Sequence, residues 1–322
     1  MSDLNRPSPS AATPALKTEH LPLQGFLLLA LLSVIWGVNW PIMKTALTEV
    51  PVLTFRALCL MIGGGSLLAI ARAAGYSIAL RRDRVAVSIA IAIVNITGWH
   101  ILCGYAVTLI PSGHAAIIGY TMPVWGVILG TLVLHEPVTW RRVLSLGLGM
   151  TGLAVLIFAD MQKIEGVPLG VLLMAAAALS WAIGTVGMKK TNWRMPISVV
   201  VAWQCLIGGI PIVIGATIFD GESIDVPSLW PLLATLYNVV FSFVIGHYLF
   251  YKVVSLFPVG VATIGTLAIP VIGLFSGALI LGEPLGVAEF IALALVVCAL
   301  AIPALARPRS LSATIRRSLT PP

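Results

Sequence analysis

Charge is scarce in this chain of 322 residues. Only 10% of the residues are charged and 59% are hydrophobic, and the mean hydropathy is +1.03. Soluble domains carry about 25% charged residues, so the solvent for most of this chain must be lipid. The net charge of +7 would favour nucleic acid as the partner of a soluble protein. Here the basic residues separate apolar runs, which indicates membrane orientation and no nucleic-acid partner.

The sequence also lacks the motifs of enzymes, nucleotide-driven pumps and metal sites. It contains no phosphate loop ending in Gly-Lys-Ser/Thr, no His-Glu-x-x-His and no paired metal-ligand cluster. We therefore predict no enzyme activity, no cofactor and no metal. The four cysteines lie inside apolar runs without metal spacing, and we interpret them as small buried apolar residues: Cys59, Cys103, Cys205 and Cys298.

Acidic residues are absent from the middle of every apolar run. Glu289 comes nearest, about one turn into the last run. Buried charges in lipid are costly and mark ion pathways, so their absence disfavours a carboxylate relay for protons or sodium.

Apolar segments long enough to cross a bilayer, about 20 residues each, occur ten times. They must be helices, because unpaired backbone groups cannot face lipid. Residues 1–22 are polar and predict a disordered cytoplasmic tail, and residues 307–322 form a basic one. The predicted spans are 23–44, 52–71, 85–107, 113–134, 141–159, 168–188, 197–219, 229–251, 259–281 and 286–306.

The basic residues predict the orientation of these spans. With a cytoplasmic amino terminus, sixteen of the nineteen Lys and Arg residues lie on the cytoplasmic side. The positive-inside rule then places both termini in the cytoplasm of a bacterial cell, with the spans in its inner membrane. Acidic residues collect in the outer connections: Glu49, Asp160, Glu165, Asp220, Glu222 and Asp225.

A repeated stretch predicts how the spans are arranged. Residues 111–137 read PSGHAAIIGYTMPVWGVILGTLVLHEP, and residues 258–284 read PVGVATIGTLAIPVIGLFSGALILGEP. The copies contain spans four and nine, an odd number of spans apart, so like sequence crosses the membrane in opposite directions. We predict an all-α polytopic membrane protein with ten transmembrane helices in a 5+5 inverted repeat, its halves at 23–159 and 168–306. That plan is typical of alternating-access transport.

These features resemble the EamA-type drug/metabolite transporter superfamily. The resemblance rests on the two matching halves, on Trp36-Gly37 and Trp181-Ala182, and on Pro-x-Gly-x-Ala running to Glu-Pro in both copies. It covers residues 25–306. It implies a ten-helix inner-membrane carrier, often an exporter of amino acids or other small metabolites. It also implies a central cavity between spans one to four and six to nine.

Three other classes of membrane protein are alternatives. A protein that moves lipids or lipid head groups would have a lateral opening towards the bilayer. An intramembrane enzyme would need a convergent catalytic set, which the sequence does not offer. A scaffold would carry large folded loops, whereas the predicted loops are short.

Polar and aromatic side chains within the spans are the candidate substrate contacts, because lipid does not satisfy polar groups. Arg56 suits a substrate carboxylate, although it could also snorkel to the interface. Trp36 and Trp40 share a helix face beside Asn39, on a helix that Pro41 is expected to break. This face suits an amphipathic or cationic cargo. The predicted substrate-binding residues are Trp36, Asn39, Trp40, Arg56, His100, Tyr120, Trp181, Thr185, Gln204 and His247.

Two further pairs follow from the repeat. His100 and His247 are equivalent positions expected to face the cavity, where imidazoles can relay protons. Exchange, facilitated efflux and proton coupling all remain open. Pro123 and Pro270 are predicted hinges, with static kinks as the alternative. His114 is interpreted as interfacial, and Glu136-Pro137 and Glu283-Pro284 as helix starts whose acid complements its own helix dipole.

Overall fold

The computed structural model describes residues 23–135, 139–161, 169–221, 225–256 and 268–304. Within these ranges the chain forms ten helical spans and no β-strand. The first five spans are α1 Leu23–Ala46, α2 Val52–Ala73, α3 Arg82–Leu109, α4 Ser112–Leu134 and α5 Trp140–Met161. The next five are α6 Leu169–Lys190, α7 Ile197–Asp220, α8 229–256, α9 Ala268–Leu281 and α10 Val287–Ala304.

The helices follow the predicted spans closely. Seven of them have the length and apolarity of a membrane span, and α5, α9 and α10 contain shorter apolar stretches. Most boundaries lie within two residues of the prediction, while α8 continues five residues farther. The first part of the predicted ninth span lies outside the described residues, as do Glu136 and Pro137.

Two prolines behave differently from one another. The prediction that Pro41 breaks its helix is wrong, because α1 runs through Pro41 without interruption. Membrane helices tolerate an internal proline when neighbouring groups satisfy the freed backbone. By contrast, α4 stops at Gly119 and resumes at Met122. Pro123 stands in the first turn of the second segment, where its missing N–H has no helical partner to lose.

Turns of π-helix interrupt two equivalent helices. One covers Ile93–Gly98 in α3, and the other covers Asn238–Ile245 in α8. The first ends two residues before His100, and the second ends two residues before His247. π turns inside α-helices are frequent at functional sites. The two predicted histidines therefore follow the same backbone irregularity in both halves of the chain.

The two halves of the chain pack into one bundle. The most extensive helix contacts all join a helix of residues 23–161 to one of residues 169–304: α2 with α7, α5 with α10, α1 with α9, α3 with α6, and α4 with both α6 and α9. Small residues permit this approach, because a Cβ on Gly37 would lie 2.5 Å from Ile272 Cβ. The interior of the bundle is therefore shared by both halves.

Candidate substrate site

Arg56 on α2 is buried inside the bundle and only 3% exposed. Its Nη2 lies 2.9 Å from Met43 Sδ on α1 and 3.3 Å from Cys103 Sγ on α3. Sulfur is a weak acceptor, and Arg56 Nε is buried without a hydrogen-bond partner among the described residues. No carboxylate of these residues forms an ion pair with Arg56. A buried guanidinium without an anion is unfavourable, so this position is suited to receiving a negative charge.

Two more unsatisfied polar atoms lie on α1 and α3, the helices that Arg56 contacts. Asn39 Oδ1 and His100 Nδ1 are buried and have no hydrogen-bond partner in the described part of the chain. Asn39 stands one turn before Met43, which contacts Arg56. His100 stands one turn before Gly104, and a Cβ added to Gly104 would lie 3.4 Å from Arg56 Nε. Residues one turn apart share a helix face. We call Asn39, Arg56 and His100 together the Arg56 cluster.

A row of aromatic rings connects the two predicted histidines. The ring centroid of His100 is 5.5 Å from that of Phe243, and Phe243 is 5.4 Å from His247. The ring of Trp36 follows, 5.8 Å from His247. His247 Nδ1 is 2.7 Å from the Phe243 carbonyl oxygen. Only the ring of Phe243 thus separates His100 from His247, and Trp36 lies beside His247.

Trp36 and Trp40 have different partners despite sharing a face of α1. Trp36 Nε1 donates to the Ser242 carbonyl oxygen at 3.1 Å on α8. Trp40 is buried where α4 and α9 meet, and a Cβ on Gly119 would lie 3.0 Å from its ring. Trp40 therefore fills the space between these helices. Tyr120 lies in the interruption of α4 and packs against the main apolar core.

The predicted residues on α6 and α7 contact partners other than the Arg56 cluster. Trp181 packs edge-on against Trp99 at 5.3 Å between centroids. Thr185 is exposed and donates to the Trp181 carbonyl oxygen at 2.9 Å. Gln204 is buried, with Nε2 3.1 Å from Met188 Sδ. Among the described residues, none of the hydrogen bonds and ring contacts of these three side chains reaches Asn39, Arg56 or His100.

Sequence reasoning missed a buried ionisable pair. His114 Nε2 on α4 lies 2.8 Å from Glu289 Oε1 on α10, and both side chains are 3% exposed. The interpretation of His114 as interfacial is therefore wrong, because the side chain turns into the bundle. Val261 occupies the equivalent position in the second copy of the repeat, so comparing the copies gives no signal for this pair.

Glu283 holds the start of a helix that is not its own. Its carboxylate accepts hydrogen bonds from Ser112 N at 2.6 Å, Gly113 N at 3.1 Å and Ser112 Oγ at 2.8 Å. Lys44 Nζ lies 3.3 Å away and also donates to the Ile110 carbonyl oxygen. Burial pushes the pKa of Glu283 upward, but the bonds from Ser112 and Gly113 and the charge of Lys44 hold it below its ordinary value. The prediction that Glu283 complements the dipole of its own helix is wrong, because its carboxylate caps the start of α4 instead.

Two other acids at the same end of the bundle act in the same way. Asp220 Oδ2 accepts hydrogen bonds from Thr54 N at 2.8 Å and Thr54 Oγ1 at 2.9 Å, at the start of α2. Glu49 accepts from Ser228 N at 2.6 Å and Ser228 Oγ at 2.7 Å, at the start of α8. These bonds hold the pKa of Glu49 below its ordinary value.

Distant carboxylates thus cap three helix starts whose own N-cap side chains make no capping bond. Such caps satisfy amides that have no partner within the helix. We call this end of the bundle, with Glu49, Asp220, Glu283 and Glu289, the acidic end.

Comparison with known proteins gives concordant results. The model of the EamA-like transporter family matches the chain twice, over residues 23–158 and 168–304. "Uncharacterized transporter YvbV" of Bacillus subtilis (strain 168) is 32% identical over 279 residues, covering 86% of this chain and 90% of that protein.

A second relative has a more specific name. "Probable amino-acid metabolite efflux pump" of Escherichia coli (strain K12) is 25% identical over 295 residues, covering 84% of this chain and 92% of that protein. One solved crystal structure aligns with 92% of this chain and 99% of its own at a TM-score of 0.62. Its identity is 22%, so this likeness shows the fold alone.

Proposed function

Because this chain belongs to the EamA-like transporter family, we propose that it exports a small zwitterionic metabolite of the amino-acid class across the bacterial inner membrane. The observation that carries the proposal is the buried Arg56, which forms no ion pair with a carboxylate of the described residues, together with two unsatisfied polar atoms on the helices that it contacts. A carboxylate would bind the guanidinium through paired hydrogen bonds. Asn39 Oδ1 and His100 Nδ1 would then accept from the substrate ammonium group.

The aromatic row gives this substrate a place for its side chain. Phe243, His247 and Trp36 follow directly from His100. Flat rings accept apolar and amphipathic groups of varied shape. The name of the Escherichia coli relative, an amino-acid metabolite efflux pump, supports the same substrate class.

The transport cycle that we propose is alternating access between two inverted halves, residues 23–159 and 168–306, with both termini in the cytoplasm and the acidic end outside. Two features support it: the family model matches each half separately, and the π turns before His100 and His247 occupy equivalent places. Pro123, beside the interruption of α4, and Pro270, near the first described residue of α9, are the proposed hinges.

Counterflow in proteoliposomes tests the substrate assignment. The full chain is reconstituted and screened with radiolabelled neutral amino acids. The matching amine without carboxylate and the matching acid without ammonium serve as paired controls. We expect counterflow only with the zwitterion. Movement of fluorescent lipid without any amino-acid counterflow would refute the proposal in favour of lipid translocation.

Replacement of Arg56 tests the site itself. A hydrogen bond to a charged group contributes about 1.5–3 kcal/mol, so Arg56→Met should lower apparent affinity by about 10–100-fold. Arg56→Lys keeps the charge but loses the paired N–H donors of the guanidinium, so its apparent affinity should lie between those of the wild type and Arg56→Met. Arg72 is an exposed arginine on the same helix, so the control variant Arg72→Met should transport normally. Arg56→Met should unfold no earlier than wild type, because it removes an unpaired buried charge. Wild-type counterflow by Arg56→Met would refute the site.

A further inference from the structure

The buried pair of His114 and Glu289 has no part in the substrate contacts described above. Each residue is the third of its helix, His114 in α4 and Glu289 in α10. One carboxylate oxygen of Glu289 lies 2.8 Å from His114, while the other accepts from Gly286 N at 2.9 Å, at the start of its own helix. The carboxylate therefore joins the first turns of two helices, away from water.

Among the described residues, the charged groups near the pair stand at the same end of the bundle. From α1, Lys44 reaches Glu283, in the connection between α9 and α10, at 3.3 Å. The nearest ionisable groups on α3 are Tyr105, which is exposed, and Cys103, which contacts Arg56. α5 brings Asp160 to this end by its position in the chain, and the ionisable residues of α6, Lys189 and Lys190, stand at the opposite end.

We infer that His114 and Glu289 form a proton-binding site, and that closing the acidic end takes up one proton there. A carboxylate in a low-dielectric interior is neutralised by the adjacent imidazole only when that imidazole carries a proton. Once α4 and α10 separate, water solvates both groups and this requirement disappears. An imidazole in water gives up its proton near neutral pH. The closed acidic end therefore holds one more proton than the open one.

The Glu283 contacts link this site to the movement of α4. Glu283 binds Ser112 and Gly113, directly before His114. Opening the acidic end at α4 must separate its first turn from Glu283 and Glu289 together. Proton release and loss of the Glu283 contacts thus occur in a single step. The site concerns coupling, so it does not depend on which substrate binds the Arg56 cluster.

Nitrogen NMR of the full chain in nanodiscs tests the protonation state. With ¹⁵N-histidine labelling, the His114 signal is assigned by its loss in His114→Gln. We expect an imidazolium at pH 7.5 in the wild type and a neutral ring in Glu289→Gln, with the other histidine signals unchanged. A neutral His114 ring in the wild type at pH 7.5 would overturn the inference.

Distance measurements test the coupling. Spin labels are placed at Leu109→Cys and Val287→Cys, which are 53% and 74% exposed. Cys298, the exposed native cysteine, is replaced by alanine, since Cys59, Cys103 and Cys205 are buried. Between pH 5.5 and 8.5, the open-to-closed ratio should rise up to tenfold per pH unit, as one linked proton requires. His114→Gln and Glu289→Gln should both lose this response.

Two control variants isolate the contribution of the His114–Glu289 pair. Glu49→Gln removes an exposed carboxylate from the same end and should keep the full pH response. Arg72→Met removes an exposed charge from α2 and should also keep the full pH response. The distances are measured without substrate, so failure of the substrate proposal leaves the coupling result readable. Spin-label distances that do not change with pH in the wild type would overturn the inference. A His114→Gln variant with the same pH response as the wild type would also overturn it.

Discussion

Replacement of Glu283 by glutamine should destabilise the protein strongly, because one carboxylate satisfies the start of a distant helix. The side chain is 11% exposed and accepts three hydrogen bonds from Ser112 and Gly113. Bonds to a charged group contribute about 1.5–3 kcal/mol each, and glutamine keeps one oxygen that can still accept. The ion pair with Lys44 adds less than about 1 kcal/mol, because Lys44 is 29% exposed. The expected loss is about 3 kcal/mol.

This loss is measurable as a melting temperature in detergent. At about 2 °C per kcal/mol for a chain of this size, Glu283→Gln should melt about 6 °C below the wild type by intrinsic tryptophan fluorescence. Glu49→Gln is the matched control, since Glu49 accepts the same kind of bonds from Ser228 N and Oγ in an exposed setting. Water replaces the lost acceptor there, so its shift should be clearly smaller.

The pH dependence of this difference has a definite sign. The folded-state pKa of Glu283 lies below its ordinary value. The contribution of its carboxylate to the free energy of unfolding is therefore present above the ordinary pKa of about 4.3, and it is lost as the pH falls through the folded-state pKa. The gap between wild type and Glu283→Gln should stay constant from pH 8 to pH 5 and narrow below about pH 4. Equal melting of Glu283→Gln and Glu49→Gln would refute this reasoning.

Two further predictions concern packing between the halves. Gly184→Ala should destabilise the protein by about 2 kcal/mol or more, because the added Cβ would lie 2.2 Å from Asn95 Cβ. Thermal unfolding measures this loss. Gly65→Ala is the control, since a Cβ there meets nothing within 4 Å, and it should melt no lower than the wild type. Ser145→Ala should lower the stability by about 1 kcal/mol, since its buried Oγ donates to the Ala299 carbonyl oxygen on α10 at 2.6 Å. A melting temperature at the wild-type value would contradict it.

Much of the helical architecture was predictable from sequence because lipid imposes strong rules. A span needs about 20 apolar residues, and the predicted boundaries agree with most helix ends to within two residues. The transporter family was also predictable, and the double match of its model confirms it. Both results depend on patterns that extend over many residues, where local irregularities have little effect.

Local backbone breaks were harder to predict, because the same residue has different effects in different settings. Pro41 lies in an unbroken helix, whereas Pro123 follows a true interruption at Tyr120 and Thr121. The π turns before His100 and His247 carry no recognisable residue signature. These features depend on neighbouring helices, which a single stretch of sequence does not reveal.

Partners across the halves were the least predictable part of the site. Even within the first half, the separate spans did not indicate that Arg56 on α2 contacts Met43 on α1 and Cys103 on α3. Glu283 lies 171 residues from Ser112 in the chain, and Glu289 lies 175 residues from His114. The repeat relates equivalent positions, whereas these contacts join positions that are not equivalent.

The distant caps have a consequence for biosynthesis. The amides at the start of α2 and α4 receive their acceptors, Asp220 and Glu283, from segments 166 and 171 residues later. While the ribosome is still making the second half, those helix starts have only water or lipid head groups to bond. The nascent first half consequently inserts with an incomplete acidic end, and synthesis of the connection before α10 supplies the last acceptor. A chain truncated at Met161 would insert its helices and lack the groups that complete them.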